Sequence, residues 1–285
     1  LLLDPYFSGT KIKWIFDNNP SLYKLAENNQ LAFGTIDSWL IWKLTNGKQH
    51  VTDVTNASRT LIFNIKELKW DQELIDLIGI PSNILPKVVS CSEHVGNTEK
   101  NILGADIPIT GIAGDQQASL FGQMCLEEGD IKNTYGTGCF CMMNTGEKIV
   151  KSKNRLLSTI AYQLNNKTFY AIEGSIFTAG SLVQWLRDQL GIISNASEIE
   201  SLASTVKDNG GVTFVPALSG LGAPYWNPKA TGSILGITRG TEKGHIARAA
   251  LEGIAIRTYE IIQNIQKDAN TQITNLKVDG GASNN

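Results

Sequence analysis

The sequence predicts an α/β protein of two domains, and three observations carry that prediction. Its 285 residues suffice for two domains of ordinary size. Strand patterns are followed by crossover helices, the order that builds an α/β sheet. A glycine-flanked break at Gly122–Gly129, where a helix ends and the strand pattern restarts, divides the chain into 1–122 and 123–285.

Leu1-Leu-Leu-Asp4-Pro5 reads as the end of an element. Helical periodicity follows at 9–17, 21–28 and 36–44, the last with apolar Ile36, Trp39, Leu40, Trp42 and Leu44. A strand is expected over 60–65 and a short helix over 71–78 with Asp71 near its N-cap. The stretch from Pro81 to Pro108 is rich in turn residues, with one strand near 87–90. Ile107-Pro-Ile-Thr-Gly-Ile-Ala-Gly114 reads as a buried strand by its length and isoleucine content. The helical stretch Gln117-Ala-Ser-Leu-Phe121 comes next.

Beyond the break, extended runs at 130–134 and 139–144 flank a glycine-bearing turn. Strands at 157–164 and 169–173 lead through Gly174 to a helix at 179–190. Strands at 212–216 and 233–237 enclose a long irregular loop, 218–228. Helical periodicity then runs from His245 to Ala269, and a last strand at 275–279 ends in Gly280-Gly281.

Two motifs carry chemistry. Asp115 closes the apolar run and sits where a strand tip meets a helix N-terminus, a place where open α/β sheets put ligands. Some twenty residues later, Asn133-Thr-Tyr-Gly136-Thr137-Gly138 forms a turn whose backbone N–H groups and hydroxyls suit phosphate oxygens. Together they suggest phosphoryl transfer to an alcohol. Alone, an Asp before a helix is most often an N-cap and Gly-Thr-Gly an ordinary hairpin turn.

Composition narrows the field. A net charge of −2 makes no electrostatic case for nucleic acid or an anionic membrane surface. No window reads as a membrane span or a cleavable leader. Cysteines 91, 125, 139 and 141 lack metal-ligand spacing; Cys139 and Cys141 share one strand face as small apolar fillers. A reducing cytoplasm is the default setting for such a chain. The three histidines share no motif, and no Walker-type loop or nucleophile elbow occurs. The six tryptophans read as packing residues rather than sugar platforms, and Asp53 and Arg59 could form an ion pair.

With these elements placed, a resemblance is visible. Tyr6-Phe-Ser-Gly-Thr-Lys-Ile-Lys-Trp-Ile-Phe-Asp-Asn18 resembles the first signature of the carbohydrate kinases named for a Phe-Gly-Gly-Tyr motif, the FGGY family. Gly232-Ser-Ile-Leu-Gly236-Ile237 with His245-Ile-Ala-Arg-Ala-Ala-Leu-Glu252 resembles the second. Asp4–Lys11, Thr52–Arg59, Ala113–Gln117 and Gly220–Trp226 follow the pattern of the members that phosphorylate glycerol. The similarity runs essentially end to end.

The resemblance implies an actin/hexokinase-like (ribonuclease H-like) two-domain kinase fold, incomplete at both ends, with a cleft between the domains. It implies phosphorylation of glycerol to sn-glycerol 3-phosphate with ATP and Mg²⁺. Asp115 matches the general base, and is also the candidate to hold Mg²⁺ through water. Tyr6 and Gln116 match residues that hold the polyol hydroxyls, and Phe140 an aromatic on the carbon backbone, with strand core as its alternative. Gly136 and Thr137 match a phosphate-binding hairpin; Gly180 and Gln184 match contacts near the nucleotide. Gly281 and Asn285 match the adenosine side. A dimer or tetramer in the cytoplasm is the family's usual form. A sister kinase for a pentulose or other polyol, or a nucleotide-binding module without turnover, are the alternatives.

Three departures matter. The family's first phosphate loop, with an Asp that helps hold Mg²⁺, and an Arg-Glu pair that binds glycerol would precede Leu1. The chain also stops just inside the adenosine motif, so this length alone is expected to be an inactive internal piece of a longer kinase. Asn97–Asp106 is less glycine-rich than the loop that takes fructose 1,6-bisphosphate in inhibited members and lacks its Arg. No such inhibition is expected.

Overall fold

The structure, a computed structural model, describes residues 2–285; Leu1, read above as part of an element's end, lies outside the described residues. The chain forms two compact units. One comprises the residues up to Gly122 with 146–149 and 159–171; the other comprises 123–145, 150–158 and 172–285.

In the first unit, helices Ser8–Asn18, Ser21–Glu27 and Gln72–Ile78 appear where periodicity predicts them. Asp71 caps the last of these by accepting from the Leu74 N–H, and left-handed Gly79 ends it. Ile12, Phe16, Ala26, Ile62, Ile75, Ile80 and Ile84 make one core, because the 3–4-residue spacing on the helices aims them inward. A second core gathers Ile41, Val51, Val89, Val95 and Ile112.

Several expectations fail here for physical reasons. Helix Ile36–Leu44 buries Asp37, Ser38 and Ile41, whereas Ile36 and Leu40 are exposed. The inward face is polar because the Asp37 carboxylate accepts from the Thr35 and Thr52 hydroxyls and the Asp53 N–H. Trp14 and Trp39, read as packing residues, are 65% and 55% exposed. The strand expected over 60–65 shrinks to Phe63–Asn64, paired with Lys69–Trp70. Leu61 takes a positive φ, and the Asn64 side chain accepts from the Lys66 and Glu67 N–H groups to start a turn.

An unforeseen strand, Val51–Asp53, pairs in parallel with Lys87–Val89. The run Ile107–Gly114 is not a buried strand. Only Pro108–Ile109 is paired, with Gly96–Asn97, and Ile107 is exposed. Pro108 has no N–H to offer a ladder. The neighbouring amides bond elsewhere: Ile107 to the Thr98 hydroxyl, Ile112 to the Cys91 carbonyl and Gly114 to the Thr55 hydroxyl.

The second unit carries most of a five-stranded sheet, ordered Lys277–Asp279, Ile131–Tyr135, Cys139–Asn144, Lys167–Ile176, Leu157–Leu164. The first pair is parallel and the second antiparallel, with Tyr135 opposite Cys139. Helix Gly180–Asp188 follows the sheet's longest strand. Helix Lys243–Ala269 runs 27 residues from a capping box, in which Glu242 and His245 satisfy each other's backbone N–H groups, to left-handed Asn270. Its stripe Ala247, Ala250, Ile254, Ile261 and Ile265 is buried. Strands Thr213–Val215 and Ser233–Leu235 pair antiparallel.

Cys139 and Cys141 are fully buried, and burial pushes both thiols up to about 12. The folded protein is therefore expected to leave both unmodified by iodoacetamide at mildly alkaline pH. After denaturation all four cysteines should react, as mass spectrometry of tryptic peptides would read. Rapid native labelling of Cys139 or Cys141 would contradict the burial.

Candidate active site

The turn Gly136-Thr137-Gly138 is closed by the Gly136 N–H on the Gly138 carbonyl (2.9 Å). Its outer carbonyls receive the start of the following helix: Gly180 N–H donates to Gly136 O (3.0 Å), and Ala179 and Ser181 N–H donate to Thr137 O (2.9 and 3.1 Å). The Ser181 hydroxyl adds a fourth bond, also to Thr137 O (2.9 Å). Orphan helix donors are thereby satisfied by a turn rather than by a side-chain cap. The approach is close enough that a Cβ on Gly180 would lie 2.6 Å from Gly136 O. Gly280, at φ +92°, lets the chain after the last strand pass Tyr135, whose carbonyl a Cβ there would meet at 2.3 Å.

These elements surround a cavity of about 770 Å³, all within the second unit. Gly136, Thr137, Gly180, Gln184, Gly281 and Asn285 all line it. The structure thus gathers every residue singled out on the nucleotide side of the sequence. The apolar wall was not foreseen: Val183, Leu251 and Ile254 supply it. The helical stripe that marks Ile254 as core gave no separate sign that its neighbours border a cavity. Phe140 is half-buried on the strand opposite Thr134 and does not line the cavity.

Volume and lining suit a nucleotide. Small-molecule sites commonly occupy about 300–1,000 Å³ with apolar walls and a few placed polar groups. Among the described residues, no three His, Cys, Asp or Glu side chains converge as a metal cage. Mg²⁺ is commonly held by one or two carboxylates plus phosphate oxygens and water. A single exposed carboxylate such as Asp115 is compatible with that donor set.

In the first unit, Asp115 opens helix Asp115–Gly122 and is exposed. Its Oδ1 accepts from the Gln116 N–H (2.9 Å), and Gln116 Nε2 lies 3.5 Å from Oδ2. Tyr6 is half-buried. Its N–H donates to Asp4 Oδ1 (2.8 Å), its hydroxyl accepts from Arg59 Nη2 (3.3 Å), and the guanidinium lies 5.4 Å from the ring centre.

Asp53 does not pair with Arg59. Fully buried, it accepts from Thr55 N and Oγ1, Asn56 N and Nδ2 and the Cys91 thiol. A buried carboxylate needs such donors, and here local N-capping supplies them. The segment 53–59 thus touches both ends of the candidate site: Arg59 meets Tyr6, and Thr55 meets Gly114 beside Asp115. The sequence motif Thr52–Arg59 flagged this segment without indicating that role.

The comparisons with known proteins agree with the resemblance. The FGGY family of carbohydrate kinases is matched twice, its N-terminal domain over residues 1–122 and its C-terminal domain over residues 131–285. Glycerol kinase of Trichlorobacter lovleyi is 58% identical over 285 residues, 100% of this chain and 58% of that protein. Glycerol kinase 2 of Thermotoga maritima is 58% identical over 282 residues, 99% of this chain and 57% of that protein. The crystal structure of Plasmodium falciparum glycerol kinase with ADP superposes at a TM-score of 0.86 with 42% identity, covering 98% of this chain and 56% of that one. The chain therefore spans little more than half the length of these relatives.

Proposed function

The chain belongs to the FGGY family of carbohydrate kinases, and from that premise we propose that it takes part in ATP-dependent phosphorylation of glycerol. The observation that supports this most is the single cavity lined by Gly136, Thr137, Gly180, Gln184, Gly281 and Asn285. In this reading the Gly136-Thr137 turn takes the phosphates and the Gly281–Asn285 end takes the adenosine, with Leu251 and Ile254 against the base. The 42% identity to a glycerol kinase solved with ADP adds to it.

In the first unit, Tyr6 and Gln116 hold the hydroxyls of glycerol, whose buried polar groups each need a partner. Phe140 takes the role of the aromatic that packs on its carbon backbone. Asp115 accepts the proton of the attacking hydroxyl as its oxygen bonds to the γ-phosphorus and the bond to the ADP oxygen breaks. Such transfer asks the protein for alignment and charge stabilisation more than for covalent chemistry. Mg²⁺ bound with the phosphates would neutralise their charge, and Asp115 would hold it through water. The three carbons of the substrate leave as sn-glycerol 3-phosphate. Homo-oligomers in the cytoplasm complete the reading. No helix among the described residues is long and apolar enough to cross a membrane.

The test is ADP release by the full-length protein with Mg-ATP and glycerol, xylulose or gluconate, with the product identified by mass spectrometry. Glycerol 3-phosphate formed at a kcat/KM well above the other phosphates is expected. Preference for a pentulose would move the assignment to a sister kinase, and ATP binding without turnover of any polyol would reject an enzyme.

A further inference from the structure

We propose that Thr55 is a positioning residue for Asp115, a role that rests on the proposed reaction. Thr55 is fully buried, and its hydroxyl stands between two fixed groups. Gly114 N–H lies 2.9 Å from Thr55 Oγ1, and Thr55 Oγ1 lies 2.7 Å from Asp53 Oδ2. A backbone amide can only donate, so the Thr55 oxygen must accept from Gly114 and its hydrogen is left for Asp53. Asp53 is suited to receive it: its two oxygens already face the Thr55 and Asn56 amides, the Asn56 side chain and the Cys91 thiol. The polarity of this relay is therefore set at both ends.

Gly114 is the residue before Asp115, and its peptide is held on both sides. Its N–H goes to Thr55, and its carbonyl accepts from the Ala118 N–H (2.8 Å) in the first turn of the helix. The helix that carries Asp115 and Gln116 is thus tied at its origin to the buried Asp53 cap. Asp115 itself is exposed, and the bonds recorded for its carboxylate are to Gln116. Its placement depends on the backbone beneath it, and a misplacement of about 1 Å at a reacting centre can cost about 10²-fold in rate.

The experiment compares Thr55→Val, Thr55→Ser and Asp115→Asn in the full-length protein. Valine keeps the branched shape but removes the hydroxyl, leaving the Gly114 N–H without that acceptor. Thr55→Val is expected to lower kcat about 10–100-fold, with KM for ATP and ADP affinity within about twofold of wild type. Thr55→Ser should recover kcat to within about threefold. Should Thr55→Val not fold, Thr55→Ala replaces it, judged by the same split and the same serine rescue.

Wild-type kcat in Thr55→Val alongside an inactive Asp115→Asn would overturn the positioning role while leaving the reaction as proposed. Equal losses in the valine and serine variants, or losses shared by ADP affinity, would overturn it in favour of a purely structural role. Full activity in Asp115→Asn would instead sink the assignment of the base on which the proposal rests.

Discussion

Asp115→Asn is expected to lower kcat for glycerol phosphorylation by about 10²–10⁴-fold, the range that a positioned proton acceptor contributes. Asparagine keeps the shape and one acceptor oxygen, so the bond from the Gln116 N–H can persist at the helix start. Because the residue is exposed, unfolding midpoints should match wild type, and surface changes of this kind commonly stay within about 0.5 kcal/mol. ADP affinity measured without Mg²⁺ should also hold, since Asp115 is not among the residues that line the cavity with Gly136 and Gly180. Stopped-flow or coupled assays with thermal denaturation separate these quantities. A kcat within threefold of wild type would remove Asp115 from the chemistry.

Gly180→Ala should act on the nucleotide side. The added methyl carbon would meet Gly136 O at 2.6 Å, a backbone atom that cannot rotate away. Either the turn or the helix start must shift, weakening some of the bonds from Ala179, Gly180 and Ser181 to the turn carbonyls. Loss of one or two such bonds is worth about 1–3 kcal/mol. If the shift is carried into the cavity, ADP binding weakens about 5–150-fold. Isothermal titration calorimetry reads this directly, and Ser181→Ala, which removes a side-chain bond but adds no bulk, serves as the comparison. Unchanged ADP affinity in a folded Gly180→Ala protein would show that the turn and helix start do not shape the nucleotide site.

The legible parts of the fold are those with local causes. Asp71 and Gly79 bracket a helix, and the stripe from Ala247 to Ile265 announces another. The runs around Gly136-Thr137 form a hairpin within one residue of the expected ends. Non-local causes were not legible. Val51–Asp53 becomes a strand by pairing with Lys87–Val89, a partner its own three residues do not specify. The apolar run at Ile107–Gly114 reads as buried, yet Pro108 withholds a ladder donor and distant hydroxyls take the amides. In helix Ile36–Leu44, Asp37 turns inward because Thr35 and Thr52 are there to meet it.

The site was legible through whole motifs rather than single residues. Resemblance picked out Gly136, Gly180 and Asn285, and the fold brings them to one cavity. The walls from Val183, Leu251 and Ile254 were hidden because a residue facing a cavity and one facing the core obey the same helical spacing. The anchoring of Asp115 through Thr55 was hidden because it links residues 59 positions apart.

The joint between the turn and the helix start has a consequence for how such a chain can drift. Three of its four bonds run from main-chain amides to main-chain carbonyls, which every amino acid except proline can supply. The exposed side chain at 137 can therefore change without loosening it, leaving that position available for retuning toward other ligands. Positions 138 and 180 are sterically closed, because a Cβ would meet Ile176 O at 2.3 Å or Gly136 O at 2.6 Å, so one residue type guards a geometry that its neighbours transmit without encoding.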